Sequence, residues 1–149
     1  MKVSFVSRAD AMAMILNGQL EGKSLISISD TNKEKSYMSD LWSYNVDKGH
    51  AIFLNFPDVE DGSGLTNQKL EQIIRFSDKS VRANSDIVVH CFAGISRSGA
   101  VAKWINEYFL LGNQYLDDYV GHNKHIFYSL MEHSGVQTMR QFYKEQEDV

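Results

Sequence analysis

The chain has 149 residues, 43% of them hydrophobic and 23% charged, which suits one domain spanning 1–149 with a sizeable core. Its formal net charge of −4 at pH 7 argues against the broad basic face that bulk nucleic-acid or anionic-membrane binding requires, leaving room for a local positive pocket. No apolar run approaches membrane-spanning length, and the start M-K-V-S-F-V-S-R is too short and polar for a secretory signal. A lone cysteine forms no intrachain disulfide, so a reducing, cytoplasmic setting is expected.

In chain order, Val3 to Val6 reads as a short strand, and Ser7 as the cap of a helix over Ala9–Leu16 with Gly18 near its end. Leu25–Ser29 alternates as a strand ending at Asp30. Residues 31–50 are polar with scattered aromatics and give no readable element. Ala51–Phe56 reads as a strand stopped by Pro57, and Asp58–Gly64 as an acidic, glycine-bearing loop. Thr66 caps a helix to about Arg82 with Leu70, Ile73, Ile74, Ser77 and Val81 near one face. The apolar run at Asp86–His90 is the central strand. Val101, Trp104, Ile105, Tyr108 and Phe109 then recur at helical spacing, with Gly112 as terminator. Two more helices are expected: one carries Ile126, Phe127, Leu130 and Met131 and ends at Ser134-Gly135; the other carries Val136, Met139 and Tyr143. The final K-E-Q-E-D-V reads as a frayed, solvated end. Strands alternating with helices imply an α/β fold, a mainly parallel sheet covered on both faces. In such folds ligands lie beyond the carboxyl ends of strands, where both Asp58 and Cys91 fall.

Between the central strand and the next helix stands H-C-F-A-G-I-S-R-S-G, residues 90–99, with Arg97 six positions after Cys91. A loop of that length wraps a tetrahedral oxyanion: sulfur at the base, backbone N–H groups turned inward, a guanidinium at one side. A thiol of ordinary pKa about 8.5 falls to roughly 3.5–7.5 beside cations or helix N-termini, and both influences are present here. The helix beginning near Ser98 directs its unpaired N–H groups into the loop. Arg97 adds a permanent fork-shaped charge suited to two phosphate oxygens. Gly94 lets the backbone turn inward, and the Ser98 hydroxyl can donate to the sulfur and make it a better leaving group. His90 is expected to brace the loop rather than transfer protons. Taken alone, Cys91 would read as a small buried hydrophobe and Arg97 as half of a surface ion pair; their joint context outweighs those readings.

The stretch V-V-H-C-F-A-G-I-S-R-S-G-A-V-A resembles the signature of the cysteine-based protein tyrosine phosphatases, particularly their small dual-specificity-like branch. S-L-I-S-I-S-D, F-L-N-F-P-D-V-E-D and the later H-N-K-H-I-F extend the likeness over most of the chain. The resemblance implies four or five strands flanked by helices, no metal or other cofactor, and a covalent phosphocysteine intermediate. It makes Cys91 the nucleophile, Arg97 the phosphate clamp, and the amides of Phe92, Ala93, Gly94, Ile95, Ser96 and Arg97 the cradle. The partners implied are phosphorylated proteins or peptides, with the choice among phosphotyrosine, phosphoserine and phosphothreonine open.

A leaving alkoxide or phenoxide needs a proton, and a positioned acid contributes about 10²–10⁴-fold. Asp58, Glu60 and Asp61 all lie in the loop about thirty residues before Cys91. Asp58 matches the family's acid because it directly follows the strand; Asp61, beside the glycines at 62 and 64, is the alternative. His122 and His125 flank Lys124 without a third ligand at supporting spacing, so they read as a pocket-rim cluster rather than a metal site. Asn123 aligns with an asparagine of related phosphatases that follows proline there, whereas His122 precedes it here.

The loop F-A-G-I-S lacks the lysines of phosphoinositide-directed relatives, and the net charge argues against RNA triphosphatases. No ring-gripping segment of the large tyrosine-specific enzymes is present. Low-molecular-weight phosphatases carry the cysteine near the N-terminus, unlike this chain. Two other classes remain as alternatives. A rhodanese-like sulfurtransferase needs no acid aspartate, and a phosphate-recognition module would keep the cradle with weak turnover.

Overall fold

A computed structural model describes residues 1–61 and 63–147. Strands β1 (Val3–Val6), β2 (Ser24–Ser29), β3 (His50–Asn55) and β4 (Ile87–His90) form one sheet in the order β1-β4-β2-β3, every pair parallel. The helices are α1 (Arg8–Leu16), α2 (Asn32–Asn45), α3 (Asn67–Arg82), α4 (Arg97–Tyr108), α5 (Gln114–Asp118) and α6 (Lys124–Glu147). The central strands are buried on both faces, and their side chains divide by strict alternation. Ile26, Ile28, Ile87 and Val89 enter the core shared with α3, α4, α5 and α6, whereas Leu25 and Val88 face the one shared with α1 and α2. The expected α/β architecture is therefore present, with four strands.

Side-chain caps set the starts of the first three helices. Ser7, Thr31 and Thr66 accept from the backbone N–H of Asp10, Glu34 and Lys69. The unread stretch 31–50 contains α2. Thr31 and Glu34 form a variant capping box, with Glu34 Oε2 accepting from Asp30 N at 3.1 Å. Only Met38 and Trp42 of α2 are fully covered, and that narrow stripe is why its period is faint. Leu110, at φ 54, follows the end of α4, so the stop falls before Gly112.

The expected break at Ser134-Gly135 does not occur, and α6 runs through it to Glu147. Ser134 Oγ donates back to the carbonyls of Leu130 and Met131 and accepts from Trp104 Nε1 at 3.2 Å. That serine is thus consumed inside the helix, docking it on α4 rather than ending it. Val136 and Met139, expected to mark an apolar face, are exposed. Lys144 to Gln146 are exposed as expected but helical. Gly62, the Tyr143 side chain, Asp148 and Val149 lie outside the described residues.

One feature of register positions the site. β4 pairs with β2 only as far as Ser27↔His90, whereas β2 continues beside β3 to Ser29↔Asn55. A notch opens at the carboxyl edge of the sheet directly beyond β4, and the chain enters it at Cys91. The return element, α4, is buried from Arg97 through Asn106. Truncating one of its core residues, such as Ile105, to Ala would cost about 2–5 kcal/mol. The loop is thus held at one end by a wholly buried strand and at the other by a helix buried along most of its length.

Candidate active site

The residues from Cys91 to Ser96 curl because their carbonyls are held from outside. His90 Nδ1 donates to Cys91 O at 3.1 Å, and Arg8 N to Phe92 O at 3.1 Å. Tyr119 Oη donates to Ile95 O at 2.8 Å, and Asn123 N to Ser96 O at 3.0 Å. With these carbonyls turned outward, the N–H groups of Gly94, Ile95 and Ser98 converge on the Cys91 sulfur. Gly94 has φ +71, and a Cβ there would stand 2.4 Å from Ser7 N and 2.5 Å from Val6 C. The need for glycine thus comes from the β1–α1 junction packed behind the loop, besides any approach of an anion in front.

Cys91 is buried, and its Sγ lies 3.1 Å from the fully buried Ser98 Oγ. Burial alone would push the thiol up. The Ser98 hydroxyl and the backbone N–H groups of Ser98, Ile95 and Gly94 outweigh it and hold the pKa below its ordinary value. Arg97 opens α4 and is 5% exposed. Its Nη1 donates to Asp30 Oδ1 at 2.6 Å and to Phe56 O at 2.9 Å, while its Nε is buried with no hydrogen-bond partner among the described residues. One arm of the fork is tethered and another donor remains for a ligand.

His90 is fully buried between β1 and β2, with Nε2 2.6 Å from Ser27 Oγ. Burial lowers its pKa to about 4 against the opposing bond to the Cys91 carbonyl, and the charges of Arg8 and Arg97 add to the depression. The imidazole is neutral at pH 7, so Nδ1–H donates to Cys91 O and Nε2 accepts from the Ser27 hydroxyl. Its geometry is that of a brace.

The structure separates the two candidate acids. Asp58 Oδ1 accepts from Ser96 Oγ at 2.8 Å and from Asn123 Nδ2 at 2.9 Å, which sets this carboxylate against the rim of the cysteine loop. Asp61 instead accepts from Ser63 N at 2.9 Å and Ser63 Oγ at 2.6 Å. Those bonds hold its pKa below the ordinary carboxylate value and make it a turn residue. Glu60 is exposed. Asn123 is buried although proline does not precede it. It donates to Asp58 and to Val59 O, and its Oδ1 caps α6 by accepting from Ile126 N at 3.1 Å. The neighbouring His122 packs on Phe127, with ring centroids 5.3 Å apart, and His125 Nε2 lies 3.4 Å from Ser129 Oγ. Among the described residues no group of three or more metal-ligating side chains is assembled.

Three contributors were not found from sequence. Asp30 registered only as a strand end, yet it holds the Arg97 guanidinium. Ser27 was one polar residue in an alternating strand, yet it fixes the His90 tautomer. Tyr119 lies against Gly99, where a Cβ would come within 2.5 Å of its ring, so the glycine admits the tyrosine that grips Ile95 O. The R-S-G run was the available signal for that contact. Phe92 and Ile95 are more than half exposed, giving the site an open apolar rim.

No curated protein matches the chain. Among solved structures, Tk-PTP in its active form shares 18% identity at a TM-score of 0.61, over 89% of this chain and 90% of that one. PTPMT1 in complex with PI(5)P shares 16% at 0.59, over 94% of each chain. OH1 from the Orf virus, described as a tyrosine phosphatase with triple substrate specificity, shares 20% at 0.52, over 88% of this chain and 81% of that one. At those identities the likeness establishes the fold. The family model described as "Polymorphic toxin system, DSP-PTPase phosphatase" matches residues 24–107, more than half of the chain, from β2 through the cysteine loop and nearly all of α4. The chain therefore belongs to the DSP-PTPase phosphatase family, with the parallel sheet of the protein tyrosine phosphatases and Cys91 at its carboxyl edge.

Proposed function

We propose that this protein hydrolyses phosphomonoesters on proteins, phosphotyrosine first, through a phosphocysteine intermediate on Cys91. The substrate phosphate enters the loop with its oxygens on the amides of residues 92–97 and on the free arm of Arg97. The thiolate attacks phosphorus, the S–P bond forms, and the ester P–O bond breaks. Asp58 gives its proton to the leaving phenoxide or alkoxide. Asp58, now a carboxylate, takes a proton from water as that water attacks phosphorus. The S–P bond then breaks, inorganic phosphate leaves, and the Ser98 hydroxyl stabilises the departing thiolate.

The observation that supports this reading is a buried thiol lowered by the Ser98 hydroxyl and by the inward amides of Gly94, Ile95 and Ser98, at the head of a helix that the buried Arg97 opens. Asp58 Oδ1 is occupied by Ser96 and Asn123, which leaves the other oxygen to carry the proton. The loop holds no lysine between Cys91 and Arg97, which favours a single phosphate on a protein over a polyphosphorylated headgroup. A lone cysteine that must stay a thiolate suits a reducing compartment such as the cytoplasm, and the net charge of −4 favours protein substrates over nucleic acid.

A phosphopeptide panel assayed with wild type and Cys91→Ser tests the reading. Phosphate release by wild type alone, with a phosphorylated Cys91 recovered after acid quench, is expected. Thiosulfate turnover without phosphate release would move the protein to the sulfurtransferases. Tight phosphopeptide binding without hydrolysis would make it a recognition module.

A further inference from the structure

A second arginine stands beside the cradle. Arg8 begins α1, and its backbone N–H donates to Phe92 O, so it lies directly against the cysteine loop. Its guanidinium carbon sits 5.7 Å from the centroid of the Tyr37 ring on α2. The pair therefore links α1 and α2, which cover the face of the sheet opposite the Cys91 side chain, and Arg8 stands just past the carboxyl end of β1. Arg75, Arg82 and Arg97 each hold a carboxylate within ion-pair distance. Arg8 has none among the described residues, and its Nε is buried with no hydrogen-bond partner. Its charge is felt at the brace behind the loop, where it is one of the two cations that disfavour protonation of His90. A cation stacked on a half-exposed ring and left without an anion, against a loop shaped for phosphate, has the attributes of a ligand contact.

We propose that Arg8, steadied by Tyr37, is a second anion subsite that takes a carboxylate or phosphate on a residue flanking the phosphorylated one in a peptide substrate. The proposal rests on the phosphoprotein reading above and deepens it from a residue type to a sequence preference. Arg97 selects the phosphate to be cleaved, and Arg8 selects its neighbourhood.

The test uses phosphotyrosine peptides identical except for glutamine, glutamate or phosphoserine, placed in turn at each flanking position, with dephosphorylation followed at the tyrosine. At the best position, wild type is expected to prefer glutamate over glutamine by about tenfold in kcat/KM, and phosphoserine by more. The ratio should shrink at high ionic strength. In Arg8→Gln it should fall to about one, and Arg8→Lys should retain part of it. Tyr37→Leu, which removes the ring and leaves the charge, should lower it by about threefold; should Arg8→Gln not fold, this variant and the salt dependence decide.

Binding of the same peptides to Cys91→Ser reads the ratio without turnover. A failure to hydrolyse would then count against the phosphatase reading, and the binding ratio would still judge the subsite. The proposal is overturned by a wild-type ratio near one at every position, or by a ratio that Arg8→Gln leaves intact. An Arg8 dependence confined to inositol phosphate headgroups would overturn it too. A preference for phosphoserine without one for glutamate would narrow the ligand to phosphate, and equal preference would mark a general acidic neighbourhood.

Discussion

Replacing Gly94 with alanine should inactivate the enzyme through the back of the loop rather than its front. At φ +71 an L-residue costs about 1–2 kcal/mol in backbone energy alone. The added methyl would also stand 2.4 Å from Ser7 N, 2.5 Å from Val6 C and 2.8 Å from Ser7 Cα, all of them backbone. Ordinary contact begins near 3.4 Å, so the loop or the β1–α1 junction must retreat by about 1 Å. That junction is fixed by β1 in the sheet and by the Ser7 cap of α1, so the loop yields and carries the amides of Gly94 and Ile95 off the sulfur. A displacement of that size at a reacting centre costs on the order of 10²-fold. Gly94→Ala should therefore lower kcat/KM on a small aryl phosphate by about 100-fold. It should also raise the thiol pKa read from the pH dependence of iodoacetamide alkylation. Gly112→Ala supplies the control: φ is +74, but nothing lies within 4 Å of the added Cβ. That variant should lose about 1–2 kcal/mol of stability in urea titration and keep wild-type activity. Wild-type kcat/KM and thiol pKa in a folded Gly94→Ala would refute the argument, because the amides could then not depend on this packing.

Asp58→Asn should reduce turnover of an alkyl phosphate by about 10²–10⁴-fold and leave vanadate affinity nearly unchanged, while Asp61→Asn should cost at most a few-fold; reversed effects would exchange their roles. Ser98→Ala removes the hydroxyl 3.1 Å from the sulfur, so the acid limb of the kcat/KM–pH profile should move to higher pH and phosphocysteine should accumulate in quench-flow. His90 is held at about 4 in the folded protein against 6.5 as its reference. The unfolded chain therefore takes up the proton first, and stability should fall as pH drops from 6.5 to 4, by on the order of 3 kcal/mol. Urea titrations across that range should show the drop, and a folded His90→Gln should show less of it. Peroxide should inactivate the protein reversibly at neutral pH, with rescue only by added thiol because no second cysteine exists; resistance would argue against a lowered thiol.

Cysteine, glycine and arginine spacing announced the strand–loop–helix unit because its main interactions are short-range. Cys91 meets Ser98 seven residues away, and Arg97 opens the helix that follows. Caps at Ser7 and Thr66 were legible for the same reason, since a side chain bonds an N–H three residues on. The α2 cap was equally local and passed unread for want of an apolar stripe. At Ser134 a strong local stop signal failed because the serine bonds Trp104 across the helix interface, thirty residues distant.

Local pattern thus determined the fold class, the strand that leads into Cys91 and the helix that follows the loop, read from near Ser98 and beginning at Arg97. Tertiary structure decided which acid faces the loop, since Asp58 meets Ser96 and Asn123, 38 and 65 residues away, whereas Asp61 turns to its neighbour Ser63. It also brought Asp30 to Arg97, Tyr119 to Ile95 and Tyr37 to Arg8. Those meetings depend on strand order and helix packing, and no single stretch of chain encodes either: each is set by burial summed over the whole core.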